Sequence, residues 1–261
     1  YPQFMGRLGN NMFQIAASIG YAEKYDVEWG IPKGFIEPGF RVFQVDQFMP
    51  HLPSHKDVHY KRWDEPNYDY TEIPFHPEGV RIVGYFQSIK YFEHCQQKVK
   101  DAIMLPYHRG LEDWCGIHAR RGDYIIHEAH FPPVNMDYFK IAIPMMVEKG
   151  FTKFRVCSDG IEWCEDVLPV AFPHLQFEFS KGTHEWMDMS IIGSCGAIII
   201  ANSSFSWWAA FLNPNPNKII VSPHNLSWYG KVNGVVDDAK RRGVEPCADL
   251  IPKEWIKIQF R

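Results

Sequence analysis

The sequence predicts an α/β protein whose second half is a parallel sheet wrapped by helices. Three observations lead there. From Trp114 onward, strand-like and helix-like segments alternate, which is the pattern of βαβ units. A chain of 261 residues has room for two modest α/β domains. Leu105–Asp113, with its Pro and Gly, reads as a linker between them. The domains are drawn at 1–108 and 109–232, with 233–261 a C-terminal segment expected to pack back on the first.

Met12–Tyr25 is apolar on most faces and reads as a largely buried helix. Residues 32–79, rich in Pro, Gly and aromatics, read as loops with short strands. Val80–Phe86 is a strand, and Ser88 then caps a helix that carries Ile89, Phe92, Val99 and Ile103 at helical spacing. The second half predicts strands at Trp114–Ala119, Lys153–Ser158, Leu175–Phe179, Ala197–Ala201 and Lys218–Ser222. Helices are expected at Met136–Lys149, Gly160–Leu168, Glu185–Ser194 and Ser204–Leu212. In such Rossmann-like sheets, ligands sit beyond the carboxyl ends of the strands, and that rule directs attention to the residues just after each strand.

Composition narrows the function classes. A formal charge of −4 lacks the basic excess of a duplex-binding domain, so nucleic acid is not an expected partner. No apolar run reaches the ~18 residues of a membrane span. Aromatic residues make up 15% of the chain, which suits either a large core or a site that stacks sugars or bases. The six cysteines (Cys95, Cys115, Cys157, Cys164, Cys195, Cys247) form no close pair of the zinc-binding kind. A reduced, cytoplasmic location is expected, with membrane contact at most peripheral. The chain opens at Tyr1, and an anchor upstream of it would place the protein in the Golgi lumen instead.

Two arginines end the first strand of the second half, in His118-Ala119-Arg120-Arg121-Gly122-Asp123-Tyr124. A guanidinium fork matches phosphate oxygens bidentately, so this is a natural diphosphate clamp. Strand alternation puts His118 and Arg120 on one face and Arg121 on the other. Arg120 is therefore assigned to the phosphate and Arg121 to a structural pair with Asp123; a solvated charge cluster in a turn is the plainer alternative. The Arg-Gly-Asp within it resembles an adhesion tripeptide but abuts a buried strand. Ala197–Ala201 runs into Asn202-Ser203-Ser204-Phe205-Ser206-Trp207-Trp208, where hydroxyls and helix-start amides meet and suit an anion. Capping explains one serine there, not three among aromatics. Asp159 comes directly after the strand Lys153–Ser158 and reads as a helix cap or a ligand contact. Gly6-Arg7-Leu8-Gly9-Asn10-Asn11 is a glycine turn before a buried helix, short of a full dinucleotide fingerprint. The chain has no D-x-D pair, so no metal or other cofactor is expected. A general base is not singled out: acidic residues abound in 26–78, and His127, Glu128 and His130 lie just after the arginine motif.

Five segments taken together resemble one family. Gly6–Ala16 matches G-G-L-G-N-Q-x-F-Q-x-A except at Arg7 and Asn11. Gly84–Phe92 matches G-Y-x-Q-S-x-K-Y-F, His118–Tyr124 matches H-x-R-R-G-D-Y, Ser158–Cys164 matches S-D-x-x-x-W-C and Asn202–Trp208 matches N-S-x-F-S-W-W. Their order and spacing are similar to those of the family 11 glycosyltransferases, α-1,2-fucosyltransferases that use GDP-fucose. The resemblance spans nearly the whole chain. It implies a GT-B fold, two Rossmann-like domains facing across a cleft, with an acceptor-side first domain and a GDP-fucose-binding second one. It implies an inverting transfer of L-fucose to the 2-hydroxyl of a terminal galactoside without metal. The first arginine of H-x-R-R binds the β-phosphate in related fucosyltransferases, which maps to Arg120; His118 stands beside it in the motif and is carried as a catalytic candidate. Arg121, Asp123, Asp159, Asn202, Ser203, Ser204 and Phe205 fall in the donor-binding motifs. An aspartate sixteen residues before the phosphate-loop serine reads guanine in those relatives, which maps to Asp188 ahead of Ser204. The similar G-R-F-G-N-Q turn of protein O-fucosyltransferases places its Asn near the donor phosphate and reacting sugar, and Asn10 is the counterpart.

Overall fold

The computed structural model describes residues 1–32, 51–55 and 60–260. They form two compact units: Tyr1–Met104 with Cys247–Ile251, and Leu105–Pro246 with Pro252–Arg261.

In the first unit, β1 (Pro2–Gln3) leads into α1 (Leu8–Tyr25), and then come β2 (Ile31–Pro32), β3 (Ser54–His55), β4 (Lys61–Asp64), β5 (Val80–Val83) and α2 (Gln96–Ala102). A parallel sheet runs in the order β1-β5-β4, and β2 pairs with β3. Helix α1 starts four residues before the predicted Met12. Gly6 takes a left-handed φ of 73°, and the Asn10 and Asn11 amides bond the Arg7 carbonyl at 2.9 and 3.0 Å, so the glycine turn is already the first helical turn. Strand β5 stops at Val83 rather than Phe86, because Phe86 adopts a φ of 53°. The Ser88 hydroxyl caps as expected, accepting from Lys90 N at 3.3 Å. The stretch it caps is not one helix: 3-10 turns at Ile89–Tyr91 and Glu93–Cys95 precede α2, with Phe92 at φ −142° breaking the run. That break lets Phe92 bury fully and meet Phe13 of α1 at 6.4 Å between ring centroids. Part of the loop-rich stretch 32–79 lies outside the described residues.

The second unit alternates as predicted: β6 (Trp114–Ala119), α3 (Gly122–Ile126), α4 (Met136–Glu148), β7 (Lys153–Ser158), α5 (Ile161–Ala171), β8 (Gln176–Phe179), α6 (Glu185–Ile192), β9 (Ala197–Ile199), α7 (Ser204–Leu212), β10 (Ile219–Pro223), α8 (Val235–Arg242) and β11 (Ile256–Ile258). The sheet is parallel throughout, in the order β11-β10-β9-β6-β7-β8. Strand β9 and, but for His118, strand β6 at its centre are apolar along their length, as burial on both faces demands. Cys115, Ile117, Phe154, Val156, Ala197, Ile199 and Val221 pack there with Tyr138, Phe139 and Ile143 of α4, all fully buried. Helix α7 is apolar all round, and Trp207 and Trp208 are fully buried in it. Strand β9 ends two residues short of the predicted Ala201. The short α3, α8 and the edge strand β11 were not foreseen. Of the terminal segment, only Cys247–Ile251 belongs to the first unit; β11 completes the second unit's sheet.

All six cysteines are buried free thiols. Among the described residues, no helix is long and apolar enough to cross a membrane.

Candidate functional site

In the second sheet β9, β6 and β7 are neighbours and parallel, so their carboxyl ends emerge side by side. Each end delivers one of the sequence motifs: Asn202–Phe205 after β9, Arg120–Asp123 after β6, Asp159 after β7. The βαβ topology therefore gathers residues separated by about 80 positions in the sequence at one sheet edge.

Arg120 is the centre of that edge. Its Nη1 pairs with Asp159 Oδ2 at 2.6 Å, its Nη2 pairs with Asp123, and its guanidinium carbon stands 5.3 Å from the Tyr124 ring centroid. The side chain is 12% exposed, whereas Asp123 is 53% exposed and Asp159 28%. Asp123 pairs with Arg120 and not with Arg121, since α3 starts at Gly122 and lays Asp123 one turn from Arg120. Arg121 turns the other way and stacks on Trp163, 3.7 Å from its ring centroid. Asp159 does not cap its own helix. Gly160 takes that position, and the Asp159 carboxylate instead accepts from Arg121 N at 2.7 Å. One carboxylate thus holds the arginine loop by both its backbone and its forked side chain.

His118 is buried, with its ring 4.8 Å from that of Phe205. Burial pushes its imidazole well below the ordinary 6.5, against the pull of Asp159 and with that of Arg120. The folded chain therefore binds fewer protons at this site than the unfolded chain once pH drops below about 6.5. By linkage, stability is full above that value and falls as the solution acidifies. Melting temperatures read from pH 7.5 to 5 should decline, and His118→Phe should flatten the decline; an unchanged slope would show that this histidine is not held neutral.

Helix α7 begins at Ser204. The backbone of Ser203 is extended at the cap position (φ −138°, ψ 130°), yet its hydroxyl makes no capping bond. The start of such a helix, with its positive dipole end, is a setting that favours anions. Asn202 is almost fully buried, and its Nδ2 donates to the carbonyls of Pro132 (3.0 Å) and Trp228 (2.9 Å). Its backbone carbonyl accepts from Tyr124 Oη at 3.1 Å, which ties the β9 end to the arginine loop. That the Asn202 amide fastens two loops was not legible in the sequence. Asp188 sits in the first turn of α6, with the Thr183 hydroxyl donating to its Oδ1 and its carbonyl 3.8 Å from Cys157 Sγ of β7.

Asn10 belongs to the first unit. Its Oδ1 accepts from Gln87 Nε2 at 2.8 Å, and its Nδ2 packs so close to Gly6 that a Cβ there would lie 2.3 Å away. Gln14, one turn on, donates to Gly84 O at 2.9 Å and accepts from Met5 N at 3.1 Å. Two of the sequence motifs, at residues 6–16 and 84–92, are thereby joined through glutamines. Among the described residues, no cluster of His, Cys, Asp and Glu is arranged to hold a metal ion.

Along 97% of both chains, the protein is 25% identical to an alpha-1,2-colitosyltransferase of Escherichia coli. It is 36% identical to the O-antigen biosynthesis glycosyltransferase WbnK of Escherichia coli, over 45% of this chain and 39% of that one. It is 23% identical to galactoside alpha-(1,2)-fucosyltransferase 1 of Alouatta belzebul, over 81% of this chain and 64% of that one. Among solved structures, the crystal structure of POFUT1 in complex with GDP aligns with 85% of this chain and 96% of its own, at 13% identity and a TM-score of 0.49. The family model of glycosyl transferase family 11 matches residues 40–240, which include the arginine loop, Asp159, Asp188 and the Asn202–Phe205 helix start. The chain belongs to glycosyl transferase family 11.

Proposed function

We propose that the protein transfers L-fucose from GDP-β-L-fucose to the 2-hydroxyl of a terminal galactoside, inverting the anomeric centre to give an α linkage. The observation that supports this most is the sheet edge where Arg120, Asp159 and the α7 start converge. As the C1–O bond of the sugar lengthens, positive charge grows on an oxocarbenium-like ring and negative charge on the β-phosphate of GDP. Arg120, the Ser203 and Ser204 hydroxyls and the first amides of α7 meet that charge with donors already in place. Asp159 keeps the Arg120 fork oriented; Asp123, the more exposed of its partners, is the one a phosphate displaces. Asp188 reads the guanine edge, and Asn10 contacts the reacting sugar.

A second donor has an observation in its favour. A relative that aligns along nearly the whole chain is named for colitose, which differs from fucose in lacking one hydroxyl. A panel of sugar nucleotides, including GDP-fucose and GDP-colitose, offered with lactose and other galactosides and read as GDP release, decides between them. The fucose reading expects acceptor-dependent release from GDP-fucose above every other donor. Thermal stabilisation by GDP without acceptor-dependent release from any donor would mark a binding protein instead.

Arg120 and helix amides neutralise the leaving group in this scheme, and the sequence has no D-x-D pair. Transfer should persist in excess EDTA. A complete loss that Mg²⁺ restores would refute the metal-free scheme.

A further inference from the structure

Glu65 is a carboxylate that no motif singles out, yet it is enclosed by the backbone next to Asn10. It comes directly after β4, and its own amide donates to Val83 O of β5 at 2.8 Å. Its Oε2 accepts from both Tyr85 N (2.8 Å) and Phe86 N (2.9 Å), and its Oε1 accepts from Tyr91 Oη at 3.2 Å. Tyr85 and Phe86 lie just past the end of β5 at Val83, in the stretch where the sequence predicts that the strand continues. Phe86 is fully buried in a left-handed conformation that non-glycine residues rarely adopt. Gly84 makes the approach possible, since a Cβ there would lie 2.4 Å from Glu65 Cβ and 2.6 Å from Oε2. The next residue is Gln87, which holds Asn10.

We infer that Glu65 is a positioning residue for sugar transfer: its carboxylate fixes the turned Tyr85–Phe86 backbone, and through Gln87 it sets the place of the Asn10 side chain. The inference rests on the proposed function, in which Asn10 contacts the reacting sugar. Glu65 is not the general base in this arrangement. Both of its oxygens are taken by donors that belong to the fold, so an acceptor hydroxyl would have to dislodge part of the backbone to reach it. Burial raises its carboxyl to about 7 even against those three donors. The fold therefore holds a carboxyl where loss of solvation opposes charge, which suits a structural clamp whose job is geometry.

Two measurements on the full chain test this. Hydrogen exchange of residues 84–91 reads the clamp without reference to activity. Glu65→Ala should strip protection from the Tyr85 and Phe86 amides, while Glu65→Gln, which keeps an acceptor oxygen of the same reach, should retain it. Transfer from GDP-fucose to lactose reads the consequence. Glu65→Ala should lower kcat by about 10–100-fold, the scale of a displaced positioning contact. Donor KM should stay within about twofold, because an interaction made only in the transition state is lost. Glu65→Gln should recover most of the rate, and Asn10→Ala with Glu65→Ala should be no slower than Asn10→Ala alone. Retained exchange protection in Glu65→Ala overturns the clamp, as do effects that multiply in the double variant. If Glu65→Ala does not fold, Glu65→Asp, one methylene too short to reach both amides, takes its place. A wild-type rate for Asn10→Ala overturns the reading of Asn10 itself, whereas a crippled Asn10→Ala beside an innocuous Glu65→Ala overturns the clamp alone.

Discussion

Arg120→Lys should lower kcat for transfer by about 10²–10³-fold, the usual consequence of losing one preorganised donor to a developing charge. The charge itself survives the substitution; the fork does not. Nη1 on Asp159 and Nη2 on Asp123 fix the guanidinium plane from both ends, and a lysine ammonium can satisfy one carboxylate at a time. The neighbouring Arg121→Lys has a different expectation. The Arg121 guanidinium carbon stands over the Trp163 ring, 3.7 Å from its centroid, and trading it for lysine costs at most that cation–π contact, about 0.5–2 kcal/mol. That corresponds to a melting temperature lower by about 1–8 °C in a chain of this size, with turnover of the surviving folded protein near wild type. Steady-state kinetics and thermal melts of the two variants side by side separate the roles. Equal loss of turnover in both, without destabilisation, would mean that the two arginines share the diphosphate.

Asp188→Ala should erase the preference for GDP over ADP as an inhibitor, a change of about 10–100-fold. A bidentate contact to a base edge is worth about 1–3 kcal/mol of discrimination. Guanine presents two adjacent donors, its ring N–H and exocyclic amine, that one carboxylate can accept; adenine has an acceptor at the corresponding ring nitrogen. Michaelis constants for GDP-fucose should rise in the same variant. The competing explanation is that Asp188 only complements the dipole of α6, worth up to ~1 kcal/mol of stability. The helix has other means for that: His184 Nδ1 accepts from Trp186 N at 3.3 Å, and Glu185 adds a second carboxylate to the first turn. Unchanged discrimination between GDP and ADP in Asp188→Ala would leave the guanine reader unidentified.

The second unit was the more legible in the sequence because its order is periodic. Strands and helices alternate there from Trp114 onward, and the topological rule for parallel sheets then places Arg120, Asp159 and Asn202–Phe205 at one edge without further information. The first unit has no such rhythm. Its decisive contacts join Glu65 to Tyr85 and Phe86, and Gln87 to Asn10, across 20, 21 and 77 residues, and no local pattern announces a hydrogen bond over such separations. The same limit hid the partner of Asp123. Strand alternation extended to Arg121 gives the wrong pairing, because β6 ends at Ala119 and the backbone turns into α3 before the charged residues are placed. The single local hint of Glu65 was Gly84, a glycine where a strand was expected to continue.

The return of Cys247–Ile251 to the first unit bears on how this protein can be cut and recombined. Asp249 accepts from Ile89 N at 3.2 Å and pairs with Lys90 at 2.9 Å, while Leu250 and Ile251 are buried. A fragment ending at Met104 would leave the Ile89 amide without its acceptor and open an apolar gap where that loop sits. A chimera with a single crossover at the linker would bring in a foreign loop against the Ile89–Tyr91 turn. Exchange of the first unit between family members therefore calls for two grafts, residues 1–104 and 247–251, inherited together as one module.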